Sequence, residues 1–402
     1  MIRYQKKQIM DLKRMINKLH EEPDDLVLLK ECQGRLIRNI IKTESRIKQT
    51  RLKSKELKSF LRKGKLDKSN ALNIRRQKEI NDQKLQQYKW LLYVWRTFGD
   101  AIVFIYVDKW GVKPFLFYDN NPRQKESPGF LNGKEGLPAE MSVVFDAIKH
   151  NVPAILCDLT NSIRHGDVCL LGASDPYVIE VKSSINRNKR VERQERQIRN
   201  IQSYLENDGG NTRGYNPCNR VVIDKAERNY IPLINEMIDE AVDNGKSIRN
   251  PERGLRYFVF RVNSTINFDE TFRSISKPIV FDLNEMKNEK VWVGIYPFTL
   301  SIVKPEHLYA FLSGSIYILV IFDYFIIEEI AKKRSLSVRL IDDPGWIMEI
   351  EKLIVPLNEP LKLKVSAQFF ERMALEFISL EWMFDVYENN IQYILSQTLK
   401  SG

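Results

Sequence analysis

Along the first hundred positions, apolar residues recur at helical spacing in a strongly basic background. From Asp24 to Arg62 there is no proline, and Leu29, Leu36, Ile40, Ile47 and Leu57 are set among lysines and arginines. The pattern predicts one long helix, capped by Asp24 or Asp25 after Pro23 and closed by Gly64. Its heptads are irregular, so a helical hairpin or loose coiled coil is expected rather than a long zipper. A second helix is predicted from Leu72 to Tyr106. It turns strongly apolar after Tyr88, so its latter half should be buried against the rest of the chain. Gly99-Asp100 within that half reads as a close helix contact at the glycine, with a second carboxylate near a site as the alternative.

Further on, Pro138–Ile148 is an apolar-striped helix opening on a proline, with Glu140 in its first turn. Two apolar strands follow, at 166–171 and 177–182, separated by the turn-rich Gly172-Ala173-Ser174-Asp175-Pro176. Residues 190–205 have helical period, with Val191, Ile198, Ile201 and Leu205 on one stripe. The segments 119–138 and 206–218 are rich in Pro, Gly and Asn and read as a loop and a break. Strands at Arg220–Ile223 and Leu255–Val262 then flank a helix at 229–245, with a further strand at Val291–Ile295. The uncharged run Leu308–Phe322 has 15 residues, too few to span a bilayer, and predicts a buried helix or strand. The fold expected is α/β in three parts: a helical arm over 1–84, a central core over 85–215, and a C-terminal α/β domain over 216–402.

Charge changes the picture. The chain has 402 residues and a net charge of +11. Residues 1–96 hold 26 Lys and Arg against 11 Asp and Glu, and the remainder holds 37 against 41. A basic arm on a near-neutral body is the asymmetry expected for binding a polyanion; a solvated helix face is the plainer reading. The arm's apolar stripe needs a surface to cover it, which predicts a homo-oligomer formed through the N-terminal helices. Cys32, Cys157, Cys169 and Cys218 are unpaired in spacing and read as reduced core residues of a cytoplasmic protein. The N-terminus is charged and reads as no signal peptide, and no membrane association is expected. The four histidines have no metal-ligand spacing. His165 could touch phosphate or water, or serve the turn. No glycine-rich phosphate loop is present, so ATP is not implied.

The chemistry concentrates in the hairpin. Asp167 opens its first strand, and Glu180-Val181-Lys182 closes its second. Side chains alternate across a strand, so Glu180 and Lys182 share a face. If Asp167 pairs opposite Glu180, two carboxylates and an ammonium meet at one place. Burying such groups in apolar strands costs several kcal/mol unless they are paired or bind a metal. Two hard oxygen ligands suit Mg²⁺.

This arrangement resembles the PD-(D/E)xK nuclease superfamily over about residues 85–210. The resemblance implies a restriction-endonuclease-like mixed sheet flanked by helices. It makes Asp167 and Glu180 the metal-binding acids, Lys182 the catalytic lysine and the Val181 carbonyl a third metal ligand, with Mg²⁺ or Mn²⁺ as cofactor. It gives Glu140 the role of an additional acid on the preceding helix. It gives Gln194 that of the glutamine on the following one, since Gln194 shares the stripe of Ile198, Ile201 and Leu205; Gln197 is the reserve. The chain departs from the family in having His165-Gly166 where a proline often precedes the first acid. Implied is metal-dependent hydrolysis of phosphodiesters, of DNA before RNA, of the kind found in anti-phage defence or restriction. The alternatives are a catalytically silent nucleic-acid-binding module, or a helical scaffold with solvated hairpin charges.

Overall fold

The computed structural model describes residues 2–63, 67–118, 120, 123–181, 189–220, 223, 225–354 and 359–401. The chain divides into two compact units, Met1–Arg220 and Val221–Gly402.

Three helices open the first unit: α1 (Lys6–Glu21), α2 (Leu26–Lys63) and α3 (Lys68–Tyr106). Asp25 accepts the Leu28 N–H at 2.9 Å in the first turn of α2, and Asp67 caps α3 through the Asn70 N–H at 2.8 Å. The two long helices form an antiparallel hairpin. Asn81 donates to the Thr50 carbonyl at 2.8 Å, and the Trp95 indole to Thr43 Oγ1 at 3.2 Å. α1 packs against both, through Ile9, Leu12, Ile16 and Leu19, all fully buried. Its i, i+3, i+4 spacing is a plain helix signal that the charge around it masked. Leu29, Leu36, Ile40 and Ile47 are likewise fully buried within this chain. The apolar stripe expected to need an oligomeric partner is therefore covered intramolecularly, and the reason for expecting the oligomer is removed. α3 continues without a break across residues 84 and 85. At Gly99 a β-carbon would lie 1.9 Å from the Leu159 carbonyl oxygen, so glycine is required where the helix meets the chain before the hairpin.

The site lies on α4 (Leu137–Lys149) and a small sheet of β1 (Ala154–Leu156), β2 (Val168–Leu170) and β3 (Tyr177–Ile179). All its pairings are antiparallel, with Leu156 opposite Val168 and Val168 opposite Ile179. The mixed sheet expected from the resemblance is not seen: every pairing among the described strands of the chain is antiparallel. α5 (Lys189–Glu206) buries Ile198, Ile201 and Leu205. The break expected at 206–218 is instead a hairpin of β4 (Gly209–Thr212) and β5 (Tyr215–Asn219). Arg213 and Gly214, its two linking residues, both have positive φ, the conformation a tight hairpin turn demands.

In the second unit α6 (Ile231–Asn244) packs on a four-stranded sheet of order β6-β7-β9-β8. Its strands are β6 (Lys246–Glu252), β7 (Leu255–Arg261), β8 (Pro278–Asp282) and β9 (Ile316–Asp323), with α7 (Phe268–Phe272), α8 (Leu283–Glu289), α9 (Phe298–Ser301) and α10 (Pro305–Ser313) in its connections. The apolar run from Leu308 is thus split between α10 and β9, at Gly314 in the left-handed region. The strand expected at Val291–Ile295 is a series of turns. Lys290 at φ 66° closes α8, and Trp292 and Ile295 bury themselves without strand partners. α11 (Tyr324–Lys333) leads to a meander of β10 (Ser337–Asp343), β11 (Trp346–Ile354) and β12 (Glu359–Ser366). α12 (Ala367–Leu375) and α13 (Leu380–Ser401) end the chain. Among the described residues no helix is long and apolar enough to cross a membrane. All four cysteines are free thiols.

Candidate active site

One step beyond the Val168–Ile179 pairing, the ladder leads to Asp167 and Glu180. The two carboxyls are close enough for the Asp167 charge to disfavour ionisation of Glu180. Asp167 is fixed at both ends. Its N–H donates to the Ile179 carbonyl at 2.9 Å, its carbonyl accepts from Cys157 N–H at 2.9 Å, and its Oδ2 accepts the Val181 N–H at 3.0 Å. Gly166 before it has φ 69°, and a β-carbon there would lie 2.1 Å from Val178 Cγ1. The positive φ and that crowding are the physical reasons for glycine before Asp167. Glu180 is half-buried, and its carboxyl is pushed up to about 7, first by burial and then by the Asp167 charge beside it.

Glu140, in the first turn of α4, reaches the same place and is buried. Between these acids lies an ammonium that sequence reasoning missed. Lys134 Nζ is 2.8 Å from Asp158 Oδ2, 2.9 Å from Glu140 Oε2 and 3.1 Å from Asp167 Oδ1. Burial also raises the Glu140 carboxyl above its ordinary value, with Asp167 adding to the effect and Lys134 opposing it. Lys134 comes from the segment 119–138, whose Pro/Gly content identified a loop but not its anchor. Two buried side chains of the helical hairpin hold it. Arg96 donates to the Gly129 carbonyl at 2.7 Å and to the Asp158 carbonyl at 3.1 Å, and Glu44 accepts the Asn132 N–H at 2.8 Å. Arg96 and Glu44 are themselves 3.5 Å apart. Asp158 lies in a single helical turn after β1, a place that carries no periodic signal.

Asp100 is not part of this cluster. It is buried and accepts the N–H groups of Asn161 and Ser162 at 2.8 and 2.9 Å, which fixes the turn before His165. His165 is buried too and has a turn role: Nε2 lies 2.8 Å from the Phe117 carbonyl and Nδ1 3.3 Å from Lys125 Nζ. An ammonium donates only, so Nδ1 accepts and Nε2 carries the proton. Lys125 also favours the charged form of Glu180.

Gln194 and Gln197 both line a cleft of about 390 Å³ with Tyr118, Asn120, Lys125, Glu126 and Arg193. The stripe that singled out Gln194 does not separate it from Gln197. Gln202, not foreseen, ties α5 to β3 through the Val178 carbonyl at 2.8 Å. Lys182 lies outside the described residues.

No family model, no curated protein and no solved structure matches the chain. Among the described residues, no group of three or more His, Cys, Asp or Glu side chains is disposed to hold a metal ion. The donors that converge are hard carboxylate oxygens, the chemistry that suits Mg²⁺ or Mn²⁺. In this arrangement they close instead on the Lys134 ammonium.

Proposed function

We propose that the chain is a metal-dependent nuclease that hydrolyses phosphodiester bonds, with DNA as substrate. The observation that carries this reading is the meeting of Asp167 and Glu180 across one hairpin, with Glu140 and Asp158 beside them. Four carboxylates from four separate places in the chain are costly to gather in a half-buried site, and the Lys134 ammonium offsets only part of their charge. A scaffold with solvated hairpin charges would leave Glu180 exposed, yet it is half-buried.

In this reading Asp167, Glu180 and the Val181 carbonyl hold Mg²⁺ or Mn²⁺. When bound, the metal supplies charge neutralisation at the phosphate and a water acidified for attack. Asp167 is held in place by Val181 N–H and by its own backbone bonds, so little reorganisation is needed to present its carboxylate. Lys125 and Arg193, with the amides of Gln194 and Gln197, offer charge and hydrogen bonds to the sugar–phosphate backbone in the adjoining cleft. Lys182 keeps its proposed part as the ammonium that orients the attacking water. The basic helical hairpin supplies salt-sensitive affinity for the polyanion, and a place in anti-phage defence or restriction is consistent with such an enzyme.

The test is an assay of the purified chain on supercoiled and linear DNA and on RNA, with Mg²⁺, Mn²⁺ or chelator. Metal-dependent cleavage lost in Asp167→Asn and Glu180→Gln supports the reading. Equal cleavage by wild type and both variants would move the chemistry elsewhere, and binding without cleavage would favour the silent module.

A further inference from the structure

The ammonium of Lys134 stands between 2.8 and 3.1 Å from three carboxylates, and the three acids come from α4, the turn after β1 and the start of β2. Glu180 adjoins the set through Asp167, and Arg96 and Lys125 add positive charge from further off, acting on Asp158 and Glu180. Glu140 Oε2 is buried and faces the ammonium at 2.9 Å, though among the described residues no well-directed hydrogen bond reaches it. Three carboxylates thus draw on the same ammonium at ion-pair distance.

The backbone around Lys134 is pinned by the chain about it, and its side chain is held through its ion pairs. Asn132 is held by Glu44 and by Ser45 Oγ at 3.0 Å, and Leu131 is buried. Lys134 N–H donates to the Leu131 carbonyl at 3.1 Å, and Gly133 at φ 87° makes the turn between them. The side chain is a quarter exposed, on a flexible four-carbon stem with a way out to solvent.

We propose that Lys134 is a built-in counter-cation that competes with a divalent metal for the carboxylates of this site. It keeps Glu140, Asp158 and Asp167 together in the metal-free protein, and its ammonium gives up Asp167 when a divalent cation is taken up. Lys134 is then a positioning residue, whose removal weakens the metal-free fold and strengthens metal binding. An anchor of purely structural importance would weaken both. This inference rests on the carboxylate site being a metal site.

The experiment measures Mn²⁺ binding to the full chain by calorimetry or electron paramagnetic resonance, with no nucleic acid present. Lys134→Met should bind Mn²⁺ about tenfold more tightly than wild type, because a unit charge a few ångströms from the ligands is removed. Its metal-free melting temperature should fall below that of wild type and recover on adding Mn²⁺. Lys134→Arg, which keeps the charge, should bind as wild type does. In wild type, acylation of the Lys134 amine followed by mass spectrometry should be slow without metal and faster at saturating Mn²⁺. This second measurement stands even where Lys134→Met does not fold. Affinity unchanged or weakened in a folded Lys134→Met, or labelling of Lys134 indifferent to Mn²⁺, overturns the inference while leaving the metal site intact. Absence of Mn²⁺ binding in both wild type and Lys134→Met overturns the metal site and the inference together.

Discussion

Lys134 in the first unit and Arg334 in the second are each held by three carboxylates, and the two clusters are built on opposite principles. In the second unit Arg334 pairs with Glu381, with Asp385 at 2.7 Å and with Glu388 at 2.7 Å. All three acids stand on α13 at i, i+4 and i+7, along one helix face, and each carboxylate is about a third exposed. In the first unit Lys134 draws its acids from three separate elements, and they are only 4, 15 and 18% exposed. The Arg334 cluster follows from helical geometry and is screened by water and salt. The Lys134 cluster exists only because tertiary structure brings charges together where water is scarce. Desolvated charge that the fold must actively hold is the kind that chemistry can use.

The deepest break in this contrast is at the anchor beneath the first cluster. Arg96→Met should cost about 3–5 kcal/mol, because it leaves Glu44 buried without its counter-charge and frees the carbonyls of Gly129 and Asp158. Thermal or denaturant unfolding measures it; a loss below about 1 kcal/mol would mean that the cluster needs no such support. Asp167→Asn should come next, reducing metal-dependent cleavage by about a hundredfold or more while melting close to wild type, since preorganised charge acts mainly in the transition state.

Glu180 sharpens the comparison through pH. Its folded value near 7 lies above the ordinary carboxylate value, so the folded state binds the extra proton between about 4.5 and 7. The contribution of that proton to stability is fully present below pH 4.5 and lost as pH rises through 7. Glu180→Gln should therefore raise the melting temperature of the metal-free protein at pH 8 and leave it unchanged at pH 4; a uniform shift at both would place the effect in packing.

Smaller effects belong to the exposed charges. Exchanging the exposed Lys53, Lys55 and Lys58 of α2 for Gln should reduce the salt slope of DNA binding by up to about 3, one for each phosphate no longer neutralised, without altering the metal dependence. An unchanged slope would make this face merely solvated. Arg334→Gln should be the mildest, at about 1 kcal/mol or less and shrinking with added salt.

Helices were the most legible part of this chain. The bounds predicted for α2, α3, α4 and α5 lie within a few residues of those observed, because period and caps are local. The run from Leu308 to Phe322 was correctly read as buried, but its division at Gly314 was not. The hairpin register that sets Asp167 toward Glu180 stayed a condition, since the five-residue turn read between the strands is odd; the structure leaves Leu171 out of the strand and pairs Leu170 with Tyr177 across six residues. Trp292 and Ile295 misled, because apolar residues bury equally well in turns.

By itself, the sequence determined the basic arm, the two strands with their acids, and the helices before and after them. It pointed to a second copy of the chain as the cover for the arm's apolar stripe, whereas that stripe is buried within the chain itself. It left Asp158 and Lys134 unmarked, because neither stands in a repeating pattern and their charge differs in no way from that of any surface residue. Only the tertiary structure decided that they meet Glu140 and Asp167. Each element has its own local reasons to form, but the encounter of four charges depends on the long-range contacts of Arg96 and Glu44, which position the loop and the turn that carry them.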